Sequence, residues 1–466
     1  MEATGQPFCK PAFCFREVDA CDAKRLEAEI LGPALDIGFE CCEVDLHAQG
    51  NPAGPTISII VVMRDLPVEI YPVEVVREID RCAIDGHGIA GYELMNRAAR
   101  AAYDEARRSY PTAEHWLVLA GPGNNAGDAY VVARLAADNG IDVVVLALSD
   151  PALLSGDAGI ARADYVDSGG RVETFTGVLP GPVDLIVDGL FGSGLVREVG
   201  GDYGTVIDLC NDHHVPVLAL DIPSGIAGNS GSALGRAIRA DVTVGFVGLK
   251  PGYFLGEGID HTGRLVFAGI GVPRECYPVE QAVLERIPDY LAEQLLEPRQ
   301  RNAHKGDFGH VLVVGGAPGM AGAALMAGMS ALRAGAGRVT VATHPSHASQ
   351  FMARCPELMV RGIECAADLA PLVDNASVIA LGPGMGEDDW SKSVFASAAA
   401  VEPPAVWDAG ALTLLAAGIS SHPERIVTPH PGEAGRLLGR KAGEVQSDRL
   451  AALDDLVDIV GGVFVL

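Results

Sequence analysis

A chain of 466 residues is too long for one ordinary domain, since domains usually span roughly 100–200 residues. Apolar residues make up 48% of it and charged residues 20%, a globular composition that excludes a disordered chain. The net charge of −27 argues against nucleic-acid binding, because Lys and Arg must replace the counterions of phosphates. No apolar run approaches the roughly 20 residues of a membrane span, and no signal peptide is evident, so we expect a cytoplasmic protein without membrane contact.

Residues 1–66 form an extension to which we assign no chemistry. It is rich in cysteine, and the glycine and proline residues of its stretch 49–55 are typical of a linker. Six of the ten cysteines fall at or before Cys82, and none forms a CxxC pair. We therefore expect reduced thiols rather than disulfides or a zinc site, and the adjacent Cys41 and Cys42 are weak evidence for a metal.

Residues 67–275 predict a first α/β domain. Helical spacing of apolar residues predicts helices over 73–83 and 91–107, with Asp80 on a polar face. Short β-branched runs predict strands, separated in places by helices such as 126–139. These strands cover residues 116–120, 143–148, 185–187, 215–220, 242–246 and 265–268. Alternation of strands and helices indicates a parallel sheet that is covered on both faces.

A second α/β series fills residues 300–466, after a linker over 276–299 with a helix near 281–296. A Gly/Ala-rich helix is predicted over 321–334. The predicted strands of this series are 310–314, 339–343, 378–381, 405–407 and 426–427. Because residues 463–466 lie inside an apolar strand without a cap or turn, we expect this second domain to be incomplete.

Three strands of the first domain end in loops with glycine and polar residues. In an open parallel sheet such loops share one crevice, where glycine lets the backbone approach a ligand and helix N-termini offer amides to a pyrophosphate. Asn125, Asp188 and Ser224 supply hard oxygen donors, which suit potassium, sodium or magnesium rather than zinc. Asp221 is the candidate general acid or base. The alternative is that these glycines only form tight turns and Asp221 only caps one.

These loops resemble the NAD(P)H-hydrate epimerase family, through GNNAGD at 123–128, DGLFGSGLVRE at 188–198, DIPSG at 221–225 and ADVTVGFVGLKPG at 240–252. The resemblance implies a Rossmann-like fold that interconverts the R and S epimers of NADH or NADPH hydrated at C6 of the nicotinamide ring. It implies that Asn125, Asp188 and Ser224 hold potassium. It further implies substrate contacts at Asn124, Asn125, Ala126, Gly127, Asp128, Gly192, Ser193, Gly194, Leu195, Val196, Arg197, Glu198 and Asp221.

The second series has its own loops at strand ends, including a Gly-rich one at 315–322. This loop alone suggests a dinucleotide oxidoreductase, but it lacks the GxGxxG spacing, and the next strand ends in Thr343-His344 instead of an acidic residue. His430 stands between two prolines, and these rigid flanks favour a substrate contact over a buried core histidine.

The runs HKGDFGH at 304–310, GMAGAALMA at 319–327, GPGMG at 382–386, DAGAL at 408–412 and TPHPGE at 428–433 resemble the ADP- or ATP-dependent NAD(P)H-hydrate dehydratase family. The resemblance implies a ribokinase-like fold, Mg²⁺ and a nucleotide, with Ala324, Gly384 and His430 as substrate contacts. The sequence ends just before the position of the family's nucleotide-binding Lys-Gly segment and of its GTGD motif, so we expect phosphoryl transfer to be impaired unless the chain continues.

The leading hypothesis is a bifunctional repair enzyme for NAD(P)H-hydrate, a small-molecule substrate, acting as a homo-oligomer. The alternatives are an epimerase with a vestigial second domain, a non-catalytic binding protein, and a small-molecule kinase. The preference between ADP and ATP stays open at this point.

Overall fold

The computed structural model describes residues 62–63, 66–296, 298–401, 403–418 and 425–466. The extension before residue 62, with Cys41 and Cys42, lies outside the described residues. The described chain forms two compact units, the first of residues up to 229 with 233–286, and the second of 230–232 with 287–466. The division between Arg286 and Ile287 falls inside the segment 276–299, which the sequence predicts to be a linker.

The first unit contains an eight-stranded sheet in the order β1-β9-β8-β7-β6-β3-β4-β5, parallel except for the antiparallel edge strand β1. Its strands are β1 (Val62–Met63), β3 (His115–Ala120), β4 (Asp142–Ala147), β5 (Arg171–Thr174), β6 (Leu185–Gly189), β7 (Val217–Leu220), β8 (Val242–Phe246) and β9 (Arg264–Ala268). A separate antiparallel pair joins β2 (Glu69–Ile70) to β10 (Leu284–Glu285). The α/β fold and the six strands expected in this half are confirmed, while β1 comes from the end of the extension.

Both faces of this sheet are buried, as the apolar runs of its strands require. In β3, Trp116 and Val118 point into one core cluster with Tyr130, whereas Leu117 and Leu119 point into a second cluster on the opposite face. The covering helices are α1 (Val73–Arg81), α2 (Gly91–Ser109), α3 (Asn124–Asp138), α4 (Gly156–Asp167), α5 (Gly201–Asp212) and α6 (Gly258–Thr262).

The first helix departs from its prediction at its C-terminal end. It ends at Arg81 and continues as a π-helical turn, Cys82–Gly86. Cys82 forms a disulfide with Cys276, which lies 194 residues further along the chain. The expectation of reduced thiols is therefore wrong for this pair, because the fold brings together two cysteines whose spacing in the sequence carries no motif. Among the described residues Cys210, Cys355 and Cys365 are free.

The second unit is a seven-stranded, wholly parallel sheet in the order β13-β12-β11-β14-β15-β16-β17. Its strands are β11 (His310–Val314), β12 (Arg338–Thr343), β13 (Met359–Gly362), β14 (Val378–Leu381), β15 (Ala405–Trp407), β16 (Arg425–Val427) and β17 (Val463–Phe464). Its longer helices are α8 (Ala321–Ala334), α11 (Asp389–Ala398), α13 (Pro431–Leu438) and α15 (Arg449–Val460), and its shorter ones are α9 (Ala348–Arg354), α10 (Ala370–Val373), α12 (Gly410–Ala416) and α14 (Ala442–Ser447).

The helix expected near 281–296 is wrong over its first half. Residues 284–285 form β10 instead, and only α7 (Asp289–Leu295) is helical. Pro288 explains the boundary, because proline cannot donate a helical hydrogen bond and belongs at a helix start. In the described part of the chain, every helix is too short or too polar to cross a bilayer.

Candidate functional site

The candidate site of the first unit lies at the carboxyl ends of β3, β6 and β7, which are neighbours in the sheet. Ligands of open parallel sheets bind at this edge. Gly121, which follows β3, packs so closely against the Leu190 carbonyl after β6 that a Cβ atom there would overlap it. A glycine is therefore required where the first two loops meet.

Asp188, the fourth residue of β6, is fully buried together with Ser224 of the loop after β7. The Ser224 hydroxyl donates to Asp188 Oδ1 at 2.6 Å, and the Ser224 backbone N–H donates to Oδ2 at 2.8 Å. The N–H of Leu190 also donates to Oδ1, at 3.2 Å. Burial raises the pKa of Asp188 to about 6 against the effect of these hydrogen bonds, which favour the ionised carboxylate. The described partners of this carboxylate are all neutral groups.

Asn125 contributes an amide oxygen to the same edge. Its side-chain nitrogen donates to the Leu220 carbonyl at 3.3 Å, whereas its oxygen is buried and has no hydrogen-bond partner among the described residues. A buried carbonyl oxygen without a partner costs free energy, and such an oxygen is what a hard cation coordinates. The donor set of Asn125, Asp188 and Ser224 therefore fits a cation with a preference for oxygen ligands.

Asp221 follows β7 in a left-handed backbone conformation, with φ of 65°. Its Oδ2 accepts a hydrogen bond from the Ser193 N–H at 2.9 Å, so the loop after β6 reaches it directly. A Cβ atom added to Gly192 would lie 3.1 Å from Asp221 Oδ2 and 3.6 Å from the Cβ of Asn125. The structure thus brings together the three loops that carry the predicted metal ligands and the predicted acid or base.

The other carboxylate oxygen of Asp221 is paired with a lysine that the sequence analysis did not single out. Lys250 Nζ lies 2.7 Å from Asp221 Oδ1, and the lysine side chain is only 1% exposed. The ammonium also donates to the Phe246 and Gly248 carbonyls and to the Tyr253 hydroxyl, each at 3.2 Å. Tyr253 in turn donates to the Asp221 carbonyl at 2.6 Å. This network fixes both the side chain and the backbone of Asp221.

The pair holds both of its members in their charged states. Burial opposes ionisation of Asp221, but the charge of Lys250 and the hydrogen bonds from Lys250 and Ser193 outweigh it, so the pKa of Asp221 is lowered. Burial likewise opposes the charged form of Lys250, yet the nearby Asp221 carboxylate raises the pKa of the lysine. Asp221 is therefore an ionised carboxylate that can accept a proton at neutral pH.

Two further carboxyl groups interact with this pair. Burial raises the pKa of Asp80 to about 6, with Lys250 lowering it and Asp221 raising it further. The pKa of Asp128 is raised well above its usual range, first by burial and then by the charges of Asp221 and Asp80. Asp80 is half-buried, which corrects its expected place on a polar helix face. In this site the pKa of Asp221 is thus lowered, whereas the pKa of Asp128 is raised.

The other residues that are predicted to contact substrate differ in their exposure to solvent. Asn124, Gly194, Val196, Arg197 and Glu198 are exposed, whereas Ala126 and Gly127 are buried in the first turns of α3, and Leu195 packs on the core. Their predicted contacts with substrate stay predictions.

The second unit has an analogous edge at β11, β14, β15 and β16, which are consecutive in its sheet. Ala317 N donates to the Gly384 carbonyl at 2.8 Å, which joins the loops after β11 and β14. The Thr428 hydroxyl donates to Asp408 at 3.0 Å, which joins the loops after β15 and β16. Ala324 is fully buried, whereas His430 is exposed.

His430 has a structural role that its sequence position did not reveal. Its Nδ1 accepts hydrogen bonds from the Gly432 and Glu433 N–H groups at 3.0 and 3.4 Å, so the imidazole caps α13. Its Nε2 faces Glu433 Oε1 at 3.5 Å. Because the cap fixes the ring on an exposed turn, His430 remains accessible at this edge, and its contact with substrate stays a prediction.

Lys250 and Asp80 are the charged residues of this site that the sequence did not indicate. Lys250 is a single charged residue between the largely apolar run 242–249 and Pro251. A charge in such surroundings indicates a buried ion pair, because a buried charge requires a partner. Asp80 carries no such signal, because it occurs at a polar position of an amphipathic helix.

Comparisons with known proteins agree with this division into two sites. A family model described as YjeF-related protein N-terminus matches residues 91–252, and one described as NAD(P)H-hydrate dehydratase matches residues 311–466. The bifunctional NAD(P)H-hydrate repair enzyme Nnr of Escherichia coli (strain K12) is 41% identical over 404 residues, which cover 86% of this chain and 78% of that protein. The enzyme of the same name from Coxiella burnetii is 40% identical, over 85% of this chain and 81% of that protein.

The chain is also similar to a more distant relative and to a solved structure. The bifunctional NAD(P)H-hydrate repair enzyme of Leishmania major is 37% identical over 80% of this chain and 73% of that protein. The ADP/ATP-dependent NAD(P)H-hydrate dehydratase from Bacillus subtilis, co-crystallized with ATP and Mg²⁺, is 26% identical, with a TM-score of 0.34 over 38% of this chain and 66% of that one. With relatives this similar over more than two thirds of their length, the chain belongs to the family of bifunctional NAD(P)H-hydrate repair enzymes.

Proposed function

We propose that this protein repairs NADH and NADPH that have been hydrated at C6 of the nicotinamide ring. The first unit interconverts the R and S epimers, and the second unit returns the S epimer to NAD(P)H in a dehydration that depends on ADP or ATP. The observation that carries the epimerase proposal is the ionised Asp221, held between buried Lys250 and the Ser193 N–H at the meeting point of three loops.

The chemistry of the substrate explains why an ionised carboxylate is needed. The hydrated ring carries a hydroxyl group on the carbon bonded to the ring nitrogen. When a base removes the hydroxyl proton, the oxygen forms a carbonyl and the C6–N1 bond breaks, which gives an open-chain aldehyde. Rotation about C5–C6 and closure on the other face then inverts C6. We assign the base to Asp221, whose lowered pKa keeps it ready to accept this proton.

The ring nitrogen must receive a proton as the bond to C6 breaks. Asp128 can supply it, because burial and the neighbouring carboxylates favour its neutral form. Two carboxyl groups whose surroundings move their pKa values apart form a usual acid and base pair. On ring closure each group reverses its role, so no net proton is gained or lost.

We also propose that Asn125, Asp188 and Ser224 hold a potassium ion. The oxygen of Asn125 lacks a partner among the described residues, and the Asp188 carboxylate has only neutral partners there. A bound K⁺ would supply the positive charge that this buried carboxylate lacks.

For the second unit we propose that the edge formed by the loops after β11, β14, β15 and β16 binds the S epimer through Gly384 and His430. Ala324 lies behind this edge, since a Cβ on Gly316 would meet the Ala324 side chain at 3.3 Å. The dehydration requires a nucleotide as phosphoryl donor and Mg²⁺ to neutralise its charge. The substrate is a small molecule of central metabolism, and we propose that the protein acts on it in the cytoplasm.

The proposed function is tested by incubating the protein with each purified epimer of hydrated NADH, with and without ADP and Mg²⁺. We expect either epimer alone to reach the same R and S mixture, faster than in buffer, when the products are resolved by chromatography. With ADP and Mg²⁺ we expect NADH to form from either starting epimer in a protein that also carries the family's Lys-Gly segment and GTGD motif. An R epimer that equilibrates no faster with protein than without it would refute the epimerase assignment.

The potassium site is tested by thermal unfolding in the presence of K⁺, with choline as the reference cation. Binding to the native state alone stabilises it by about 2.7 kcal/mol at a hundredfold excess over Kd, so the midpoint of the first unit should rise with K⁺. Asn125→Leu should abolish this dependence. Asn139→Ala, at the exposed end of the same helix, is the matched control and should retain it. Equal midpoints in K⁺ and choline for the unmodified protein would contradict the assignment.

A further inference from the structure

A second cluster of ligand-type side chains lies outside the site described above. Cys82, His87 and Cys276 each offer one sulfur or nitrogen atom, and these atoms all lie within 4.8 Å of one another. Cys82 begins the π-helical turn and His87 immediately follows it, while Cys276 ends a short 3₁₀ turn after β9. The two cysteines form the disulfide of the first unit, with their Cα atoms 5.6 Å apart.

The π-helical turn explains why His87 belongs to this cluster. A π-helix has hydrogen bonds between residues five apart, so residues at that spacing lie on the same side of the turn. Cys82 and His87 are five residues apart, and Gly86 and Gly88 flank the histidine. Gly88 has a φ of +70°, a conformation that glycine adopts readily, and a Cβ added to Gly86 would lie 3.9 Å from the Cys82 sulfur. Single π-helical turns are rare and occur frequently at functional sites.

The spacing of the three atoms suits a tetrahedral metal ion. With Zn–S of about 2.3 Å and Zn–N of about 2.0–2.1 Å, the ligands of tetrahedral zinc lie about 3.5–3.8 Å apart. Once the sulfur–sulfur bond is broken, the two sulfur atoms need only separate to that distance while the imidazole approaches. Thiolate and imidazole are soft or intermediate ligands, which prefer zinc to the alkali and alkaline-earth cations that suit Asn125, Asp188 and Ser224.

We infer that Cys82, His87 and Cys276 form a redox-gated zinc site. A dithiol reductant gives two electrons and two protons to the disulfide, which becomes two thiols while the reductant becomes a disulfide. Zn²⁺ then binds the two sulfurs and the His87 imidazole, and the two thiol protons are released. In the reverse direction a disulfide oxidant accepts the two electrons and takes up two protons from water to become two thiols, the Cys82–Cys276 bond forms again, and Zn²⁺ leaves.

The graded exposure of the three residues is consistent with exchange between these states. Cys276 is buried, Cys82 is half-buried and His87 is exposed, so one side of the cluster is open to the reductant and the ion. In the described part of the chain the cluster has three protein ligands. The fourth tetrahedral position is therefore open to water, as in zinc sites that are not fully enclosed.

Either crosslink would hold the same two parts of the first unit together. Cys82 follows α1, which carries Asp80, and Cys276 precedes Tyr277, whose hydroxyl donates to the Val247 carbonyl at 2.9 Å. Both zinc and the disulfide join α1 to the segment after β9. The reduced protein without metal lacks that link, so we expect it to be the least stable of the three states.

Cobalt(II) titration of the full chain tests the site, because thiolate-bound cobalt has a charge-transfer absorption. The experiment starts from a variant, called the parent, in which serine replaces Cys9, Cys14, Cys21, Cys41 and Cys42. The parent retains Cys82, Cys210, Cys276, Cys355 and Cys365. After reduction with a dithiol and removal of the reductant, we expect one cobalt per chain with a thiolate band, displaced by zinc. The oxidised parent should bind none at this site.

Variants of the parent separate the proposed site from other thiols. His87→Ala, which changes an exposed residue, should weaken binding by more than the roughly 10–100-fold that loss of an outer-shell partner costs. Cys276→Ser should remove the two-thiolate band, and Cys365→Ser, an exposed cysteine elsewhere, should retain it. Circular dichroism verifies that each variant is folded. Absence of a thiolate–cobalt band in the reduced, folded parent, or unchanged affinity in His87→Ala, would overturn the inference.

Discussion

Asp221→Asn should slow epimerisation of hydrated NADH by about 10²–10⁴-fold, the range in which a positioned acid or base contributes to catalysis. The amide keeps the size of the side chain and cannot accept the hydroxyl proton. The measurement is the initial rate of epimer interconversion at saturating substrate. Asp138→Asn, at the exposed end of α3, is the control and should retain the full rate. A rate within threefold of the unmodified protein would remove Asp221 from the mechanism.

The pH dependence of the same rate adds a second readout. Because Lys250 lowers the pKa of Asp221, the base stays ionised as the pH falls below the usual range for aspartate of about 4. The acidic limb of the profile should therefore lie below that value, as far as the fold survives. In Lys250→Met the carboxylate loses its counter-charge while remaining buried, so its pKa rises and the limb moves towards neutral pH.

Lys250→Met should also destabilise the first unit by about 3–5 kcal/mol, the usual cost of removing one member of a buried ion pair. The double variant Asp221→Asn/Lys250→Met leaves no buried charge unpaired and should regain most of this loss, although it stays inactive. Urea unfolding followed by Trp116 fluorescence measures the effect. The background is Trp390→Phe/Trp407→Phe, because both of those tryptophans lie in the second unit. Single and double variants of equal stability would contradict the proposed coupling.

The two pKa shifts define the pH range over which this ion pair stabilises the fold. The folded-state pKa of Asp221 is lowered, so its contribution is present above the unfolded value of about 4 and is lost as the pH falls through the folded value. The folded-state pKa of Lys250 is raised, so its contribution is present below the unfolded value of about 10.4 and is lost as the pH rises through the folded value. The pair therefore stabilises the first unit from about pH 4 to about pH 10.

Much of the fold could be predicted because its strands are short apolar runs with clear ends. β8, β11, β14, β15 and α8 have the predicted bounds. The convergence of Asn125, Asp188 and Ser224 could also be predicted, since loops after neighbouring parallel strands meet at one edge. Their role as potassium ligands stays a prediction.

The features that sequence did not reveal depend on long-range packing. The partner of Cys82 is 194 residues away, and no local pattern indicates that pairing. The burial of Lys250 depends on how the turn after β8 folds against Asp221 and Tyr253. The helix predicted near 281–296 was wrong over its first half because residues 284–285 pair with Glu69–Ile70, and a short strand that pairs with a distant segment has no periodicity of its own.

The left-handed conformation of Asp221 has a consequence for engineering this enzyme. An aspartate at φ of 65° costs about 1–3 kcal/mol, which a glycine at this position would not incur. Asp221→Gly should nevertheless not make the fold more heat-resistant, because it would leave the buried Lys250 ammonium without its partner, at a cost of about 3–5 kcal/mol that exceeds the relief. Substitutions chosen to stabilise this scaffold therefore have to leave the turn at Asp221 unchanged, since its carboxylate serves both the ion pair and the proposed proton transfer.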